Sequence, residues 1–437
     1  MFKAGLAIAD VTPKEPLLLA GYPVPEDRAG LTTHDPLYCS AYYLGSNEEV
    51  IIICLDLCNV TKKQARQIRE GINKVTGVKI ENIAVSCTHT HSGPTTTSPC
   101  FSIYNEDNLM YPEYMAHCVD QIVETAIKAY RSSFDATIGF GSLVCGKEKN
   151  IGGNRHFKDG PCDPEIYAIG IKDSSGTMRG IITSYSLHPT LLHADSFAYS
   201  ADFPGYMREY FSKEYPGSIF GFQMGTSGNQ SSRHFRTGQN FEEAKRYGYT
   251  LGAAANEALG KAEYKDNAEI KVSNVWVNPI LKDLPHVDKA QAKAKATLDE
   301  YNGAKAAGMN YADLRTLECK LIGADIMATL TRQLLVPGAY EAMMKAFPFQ
   351  IQAMRIGDLV ILMSAGELFV ELGLEIKARS PFRHTYVASN TNGHTLGYVC
   401  TPKAHEEGSY EALGTILKPE MAQVVVDESL KAINLVK

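Results

Sequence analysis

Residues 50–87 read VIIICLDLCNVTKKQARQIREGINKVTGVKIENIAVSC. The opening run Val50–Leu55 is apolar, rich in β-branched side chains and strand-sized, so it predicts a strand. Thr61-x-x-Gln64 has the spacing of a capping box, in which two side chains satisfy the first free amides of a helix. The helix it opens carries Ala65, Ile68, Ile72 and Val75 inward and ends at Gly77. Ile83–Cys87 returns as a second strand. A strand, an amphipathic helix and another strand in succession point to an α/β fold.

The same alternation continues outward. Strands are predicted at Ala136–Phe140, Ile166–Ile171, Gly180–Leu187, Ser218–Gln223, Glu269–Val277, Gln350–Ile356 and Leu359–Met363. Several are apolar on both faces, as in sheets covered on both sides by helices. A second helix begins at Pro112. Its Met115, Cys118, Val119, Ile122, Val123, Ala126, Ile127 and Tyr130 keep helical spacing, and His117 lies off that stripe, facing solvent. A last helix is expected over Pro419–Ile433. Trp276, the single tryptophan, sits in a strand-like run and is expected in the core. Residues 287–335 are Ala/Lys-rich and then Leu-rich with helical period. They are expected to form a helical insertion, either a hairpin beside the sheets or a lid. The expected architecture is one α/β unit over residues 1–437, with mixed sheets sandwiched by helices.

Bulk properties exclude several classes. Of 437 residues, 44% are hydrophobic and 21% charged, which is ordinary globular usage. The formal net charge is -6 and there is no Lys/Arg-rich block, so a nucleic-acid partner is not expected. No apolar run reaches membrane-spanning length. The first ten residues are too weakly apolar for a secretory signal, so a cytoplasmic location is expected unless a leader has been removed. The 10 cysteines include no C-x-x-C pair and several lie in apolar runs, as buried thiols of a reducing compartment do.

Chemistry concentrates at strand ends. Ser86-Cys87-Thr88-His89-Thr90-His91-Ser92-Gly93-Pro94 follows a predicted strand. In extended backbone residues two apart share a face, so His89 and His91 are able to serve one metal, although an H-x-H is also a common surface pair. His188 follows a second strand, with His193 nearby. Glu367 ends a third in Ser364-Ala365-Gly366-Glu367. It is either a carboxylate needing a cation or a residue of a helix's first turn.

Taken together, these pieces resemble the catalytic domain of the neutral/alkaline non-lysosomal ceramidase family. Ala4–Pro13 is similar to its amino-terminal strand, and His34-Asp35-Pro36-Leu37 also fits. Thr88–Pro94 is similar to its most distinctive motif. His188-Pro189-Thr190, Ser200–Tyr206, Gly228-Asn229-Gln230-Ser231 and Gly366-Glu367 then follow in the family's order. Tyr398-Val399-Cys400-Thr401-Pro402 and Tyr410-Glu411 keep its spacing of two tyrosines. Asn229 and Ser232 depart from an acidic residue and a proline. The secreted members also carry a leader and a carboxy-terminal β-sandwich, neither of which is expected here.

The resemblance implies one Zn2+ held by His89, His188, Glu367 and Tyr398, with metal-bound hydroxide attacking an acyl carbon. It implies that His91, Arg155 and Tyr410 line the substrate carbonyl, His91 also carrying a proton. Ser231 would contact the reacting group, although a Gly/Ser run there is also what a turn looks like. His193 and Asp202 either orient His188 or are surface groups. The expected activity is zinc-dependent hydrolysis of the amide bond of a small N-acyl or acyl substrate. A metal-dependent esterase or deacetylase, a carbohydrate-active enzyme and a non-catalytic binding homologue remain as alternatives.

Overall fold

Thr61 and Gln64 form the reciprocal cap their spacing predicts. The Thr61 hydroxyl accepts from the Gln64 amide at 3.1 Å, and the Gln64 side chain accepts from the Thr61 amide at 2.8 Å. Helix α1, Lys62–Thr76, follows and closes on Gly77 at φ 76°, a left-handed conformation glycine adopts without strain. The computed structural model describes residues 1–22, 27–96, 109–393 and 397–437.

The strands flanking α1, Glu49–Leu55 and Ile83–Cys87, lie parallel at one edge of an eight-stranded mixed sheet. Its order from the other edge is Ile219–Met224, Met178–Tyr185, Glu165–Asp173, Phe134–Val144, Lys3–Asp10 and Tyr38–Gly45, then that pair. Ile219–Met224 and Met178–Tyr185 are also parallel. A four-stranded sheet runs Ile270–Val277, Phe349–Ile356, Leu359–Ser364 and His384–Ala388, the last pair parallel.

The two sheets share one core. Ile52, Ile169 and Ile182 of the large sheet pack with Met354, Ile361 and Tyr386 of the small one. Helices cover the outer faces. α1 and α2 (Pro112–Arg131) bury Ile68, Ile72 and Ile122 against Ile51, Ile53 and Val85. α3 (Phe203–Glu214) and α4 (Phe241–Gly260) cover the other half of that sheet through Phe211 and Leu251. Ile376, Val425 and Ile433 cover the small sheet. The doubly apolar strands face helices on one side and the partner sheet on the other, so the mixed sheets are sandwiched by helices as expected. The Ala/Lys-rich stretch forms α5, Val287–Ala306, and α6, Tyr311–Gln333, packed on each other. No helix among the described residues is long and apolar enough to cross a membrane.

Two expectations fail for local reasons. Trp276 is 52% exposed on the outward side of its strand, with the Lys62 Nζ 5.8 Å from its ring centre. Val75 is 48% exposed because the buried stripe of α1 passes through Ile72 to Thr76. The strand Tyr38–Gly45 carries no simple apolar signal, yet it is almost wholly buried. Its Ser40 hydroxyl donates to the Phe220 carbonyl at 2.9 Å and Tyr42 donates to that of Ile181 at 3.0 Å, so polar atoms are buried without loss.

Ile72→Ala is expected to lower stability by about 2–5 kcal/mol through lost burial and a cavity, while Val75→Ala stays within about 0.5 kcal/mol. Urea unfolding of both variants checks this. Equal losses would contradict the burial of the α1 stripe.

Candidate metal centre and active site

The parallel pairs bring the carboxyl ends of their strands together, the usual position for a site in an α/β sheet. His89 follows Ile83–Cys87, His188 follows Met178–Tyr185, and Glu367 follows Leu359–Ser364. The segment after His384–Ala388 laces the two sheets at this edge. The Ser389 amide donates to the Met224 carbonyl at 2.8 Å, the Cys87 amide to Asn390 at 3.2 Å, and the Val85 amide to the Asn392 side chain at 2.9 Å.

His89, His188 and Glu367 each offer a ligand atom, all within 4.8 Å of one another and buried. The His188 Nε2 lies 2.9 Å and the His89 Nε2 3.4 Å from the same Glu367 oxygen, Oε2. The opposite ring nitrogens face backbone carbonyls. His188 Nδ1 lies 2.7 Å from Ser227 O and 3.1 Å from Gln230 O, and His89 Nδ1 lies 2.8 Å from Cys58 O. The two carbonyls place a proton on His188 Nδ1 and leave a lone pair on its Nε2, whereas His89 Nδ1 also lies 2.9 Å from the Asn390 amide nitrogen. Two imidazole nitrogens and a carboxylate oxygen thus converge, an arrangement that a shared cation stabilises. Burial alone would raise the Glu367 pKa; positive charge on His89 outweighs it and holds the carboxyl well below its usual range, a role that a shared cation would take over. Burial lowers the pKa of His188 and, well below the usual imidazole value, of His91.

Tyr398 is fixed by backbone pairing. Glu367–Leu368 and Tyr398–Val399 form a two-residue parallel ladder in which Glu367 stands opposite Tyr398. Burial and then the Glu367 charge push the Tyr398 phenol well above its usual value, a shift that a nearby cation would oppose. Imidazole nitrogens with carboxylate and phenol oxygens suit a divalent transition metal.

His91 reaches the cluster by a different route from the one its spacing suggests. His89 has φ 67°, so the chain is not extended there and the strand's alternation stops. The turn still brings the two rings to a 5.1 Å edge-on contact, and the His91 ring is also edge-on to His188. Both His91 nitrogens are buried without a hydrogen bond among the described residues. Gly21 is required beneath it: at φ +86° its absent Cβ would lie 2.1 Å from the His91 ring.

Arg155 and Ser231 share a second short ribbon, Gly153–Asn154 against Gln230–Ser231, with Ser231 opposite Gly153. The Arg155 Nε donates to Glu411 Oε1 at 2.6 Å and an Nη donates to the Gly228 carbonyl. Its guanidinium carbon lies 5.4 Å from the Tyr398 ring centre and 5.3 Å from that of Tyr410. Four predicted residues, His89, His91, His188 and Glu367, thus form one cluster, joined through Tyr398 to Arg155 and Tyr410. Ser231 is buried beside Arg155, where its Oγ accepts from the Arg233 amide at 3.2 Å.

Asp202 and His193 do neither of the things expected of them. Asp202 is 1% exposed and accepts the Phe203 amide at 2.6 Å and the Leu192 amide at 2.9 Å, capping α3. His193 packs on Tyr22 with ring centres 4.8 Å apart. Backbone carbonyls orient His188 instead. Glu411 was missed as a functional residue. It is fully buried and binds both Arg155 and the His156 Nε2, the latter at 3.0 Å. Only its place beside Tyr410 hinted at it in the sequence.

Glu411 generates a prediction about pH. Burial would raise its pKa, but Arg155 and then His156 outweigh that and depress it. With a folded pKa below the unfolded value of ~4.3, the pairing stabilises fully above that pH and is lost as pH falls through the depressed value. Glu411→Gln is expected to lose about 3 kcal/mol at pH 7 by leaving Arg155 buried without a counter-charge. The difference between its melting curve and the wild type's should begin to shrink below pH ~4 and close only as pH falls through the depressed value. Parallel curves at every pH would refute the assignment.

Comparison with known proteins shows the family and the fold. The family described as neutral/alkaline non-lysosomal ceramidase, N-terminal, matches residues 2–220, half of the chain. The chain is 24% identical over 291 residues to a neutral ceramidase of Pseudomonas aeruginosa, covering 60% of this chain and 42% of the relative. It is 22% identical over 221 residues to neutral ceramidase A of Dictyostelium discoideum, covering 47% of this chain and 31% of the relative. The chain therefore spans less than half the length of either curated relative. A solved structure of the P. aeruginosa neutral ceramidase superposes with a TM-score of 0.75 at 19% identity, covering 100% of this chain and 75% of that one. A ceramidase solved in complex with C2 gives a TM-score of 0.74 at 18% identity, covering 99% and 74%. The fold is shared, and the chain belongs to the neutral/alkaline non-lysosomal ceramidase family.

Proposed function

We propose that this chain is a zinc-dependent hydrolase cleaving an amide bond of an N-acyl compound, with His89, His188, Glu367 and Tyr398 holding the metal. The observation that carries this reading is the convergence of His188 Nε2, at 2.9 Å, and His89 Nε2, at 3.4 Å, on one buried carboxylate oxygen. When bound, zinc would bring a water to a pKa near ~7 and polarise an acyl oxygen.

The chain's own residues supply the rest. Glu411 and the Gly228 carbonyl hold the Arg155 guanidinium between the two tyrosine rings, a fixed cation for charge that develops on the substrate carbonyl. The Tyr410 hydroxyl donates to the same oxygen. His91, with both nitrogens buried and unbonded among the described residues, takes a proton and returns it to the departing amine. Ser231 contacts the reacting group from the Arg155 ribbon. The relatives carry the name neutral ceramidase, so a ceramide amide belongs among the compounds to test.

Elemental analysis of the purified protein is expected to find about one zinc per chain. His89→Ala should lose both the metal and turnover. Tyr410→Phe should keep the metal and slow turnover ~100-fold or more. Full activity in a metal-stripped chain would overturn the proposal.

A further inference from the structure

A cavity of about 380 Å³ opens beside the proposed reaction centre, lined by Arg155 and Tyr410 on one side and by Thr316 and Lys320 of α6 on the other. Arg233 also lines it. Its neighbouring cations have their own acids: Arg155 pairs with Glu411 at 2.5 Å, Arg315 with Glu318 at 2.5 Å, and Lys320 with Glu300 at 3.5 Å.

Arg233 has only neutral acceptors. Nη1 donates to the Arg155 carbonyl at 3.0 Å and to Thr316 Oγ1 at 3.1 Å, and Nη2 donates to Cys319 Sγ at 3.2 Å. Among the described residues no carboxylate is in ion-pair contact with it. Arg236, on the same loop, is likewise held by the Ser232 and Tyr311 hydroxyls, each at 3.4 Å. A neutral amide would tie this loop to α6 with the same kind of bonds. A guanidinium adds a charge that Arg155 and Arg315 repel, and the described residues place no carboxylate in contact to balance it. Its planar fork suits an oxyanion.

We infer that this cavity receives an anionic group of the substrate, a carboxylate, sulfate or phosphate, with Arg233 as its partner. The inference rests on the hydrolase reading for its position next to the scissile bond. It makes α6 the wall that selects the substrate. An N-acyl compound bearing a negative charge is then preferred to a neutral one of the same shape.

The test uses two matched pairs on the zinc-loaded chain. N-acetylglycine against N-acetylglycinamide places the charge on the amine side, and N-glutaryl butylamine against its terminal amide places it on the acyl side. The charged member of one pair is expected to have a kcat/KM ~10-fold or more higher. Arg233→Gln should bring that ratio towards one. Arg236→Gln, which leaves the contact to Arg155 intact, should reduce it in part. Equal rates within both pairs overturn the inference while leaving the hydrolase intact. A preference unchanged in folded Arg233→Gln also overturns it, because the anion then owes its place to the metal. If none of the four compounds turns over, the hydrolase reading loses support, and titration calorimetry with the same compounds decides the subsite. Binding ~10-fold tighter for a charged member, lost in Arg233→Gln, sustains it, and equal or absent binding rejects it.

Discussion

A carboxylate that is 4% exposed, within reach of two imidazoles whose outer nitrogens face backbone carbonyls, sets the terms for this molecule. Such a group is too costly to bury alone, so everything around Glu367 is arranged to compensate it. The compensation is built from backbone. Carbonyls of Cys58, Ser227 and Gln230 turn the two imidazoles, and a two-residue ladder sets Tyr398 beside the carboxylate. Gly228 allows the approach: a Cβ there would lie 2.8 Å from the Glu367 carbonyl oxygen. Rigid elements hold each part, which is what a coordination site needs to keep its geometry.

Two sheets stacked face to face make this possible because their parallel pairs end at the same edge. Each parallel pair delivers a loop at its carboxyl end. The Asn390-Thr391-Asn392 turn, with Asn390 at φ 49° and Asn392 at φ 60°, stitches the small sheet to the large one just below the cluster. The inter-sheet core of Ile52, Ile182, Met354 and Ile361 therefore does more than stabilise the fold. It fixes the distance between histidines carried by one sheet and a glutamate carried by the other.

The strands and the capped helix were legible in the sequence because their signals are local: β-branched runs, helical spacing, a capping box. The histidines and the glutamate were legible as strand-end residues, and the resemblance of ordered motifs joined them into one site. What remained hidden was non-local. Tyr38–Gly45 looks half polar until its hydroxyls find carbonyls on other strands. Trp276 looks like core because sequence does not say which face of an edge strand is covered. His91 joins the cluster by another route than its spacing suggested, since the extended backbone that would align it with His89 breaks at His89 itself. Glu411 and the carbonyls that orient the histidines have no signature beyond being near something.

Arg233 separates two kinds of information in this chain. The groups proposed to handle the acyl bond lie on strand ends and short ladders of the shared fold, in segments that resemble the family. The wall facing them comes from α6 and from the loop that carries Arg233 and Ser232, the latter a departure from the family's proline. A reaction set by the scaffold and a substrate chosen by α6, as proposed, would be independent properties, and one could change while the other stays. Similarity in the first half of the chain thus speaks to how a bond would be broken. The unbalanced charge against α6 speaks to which molecule would present it.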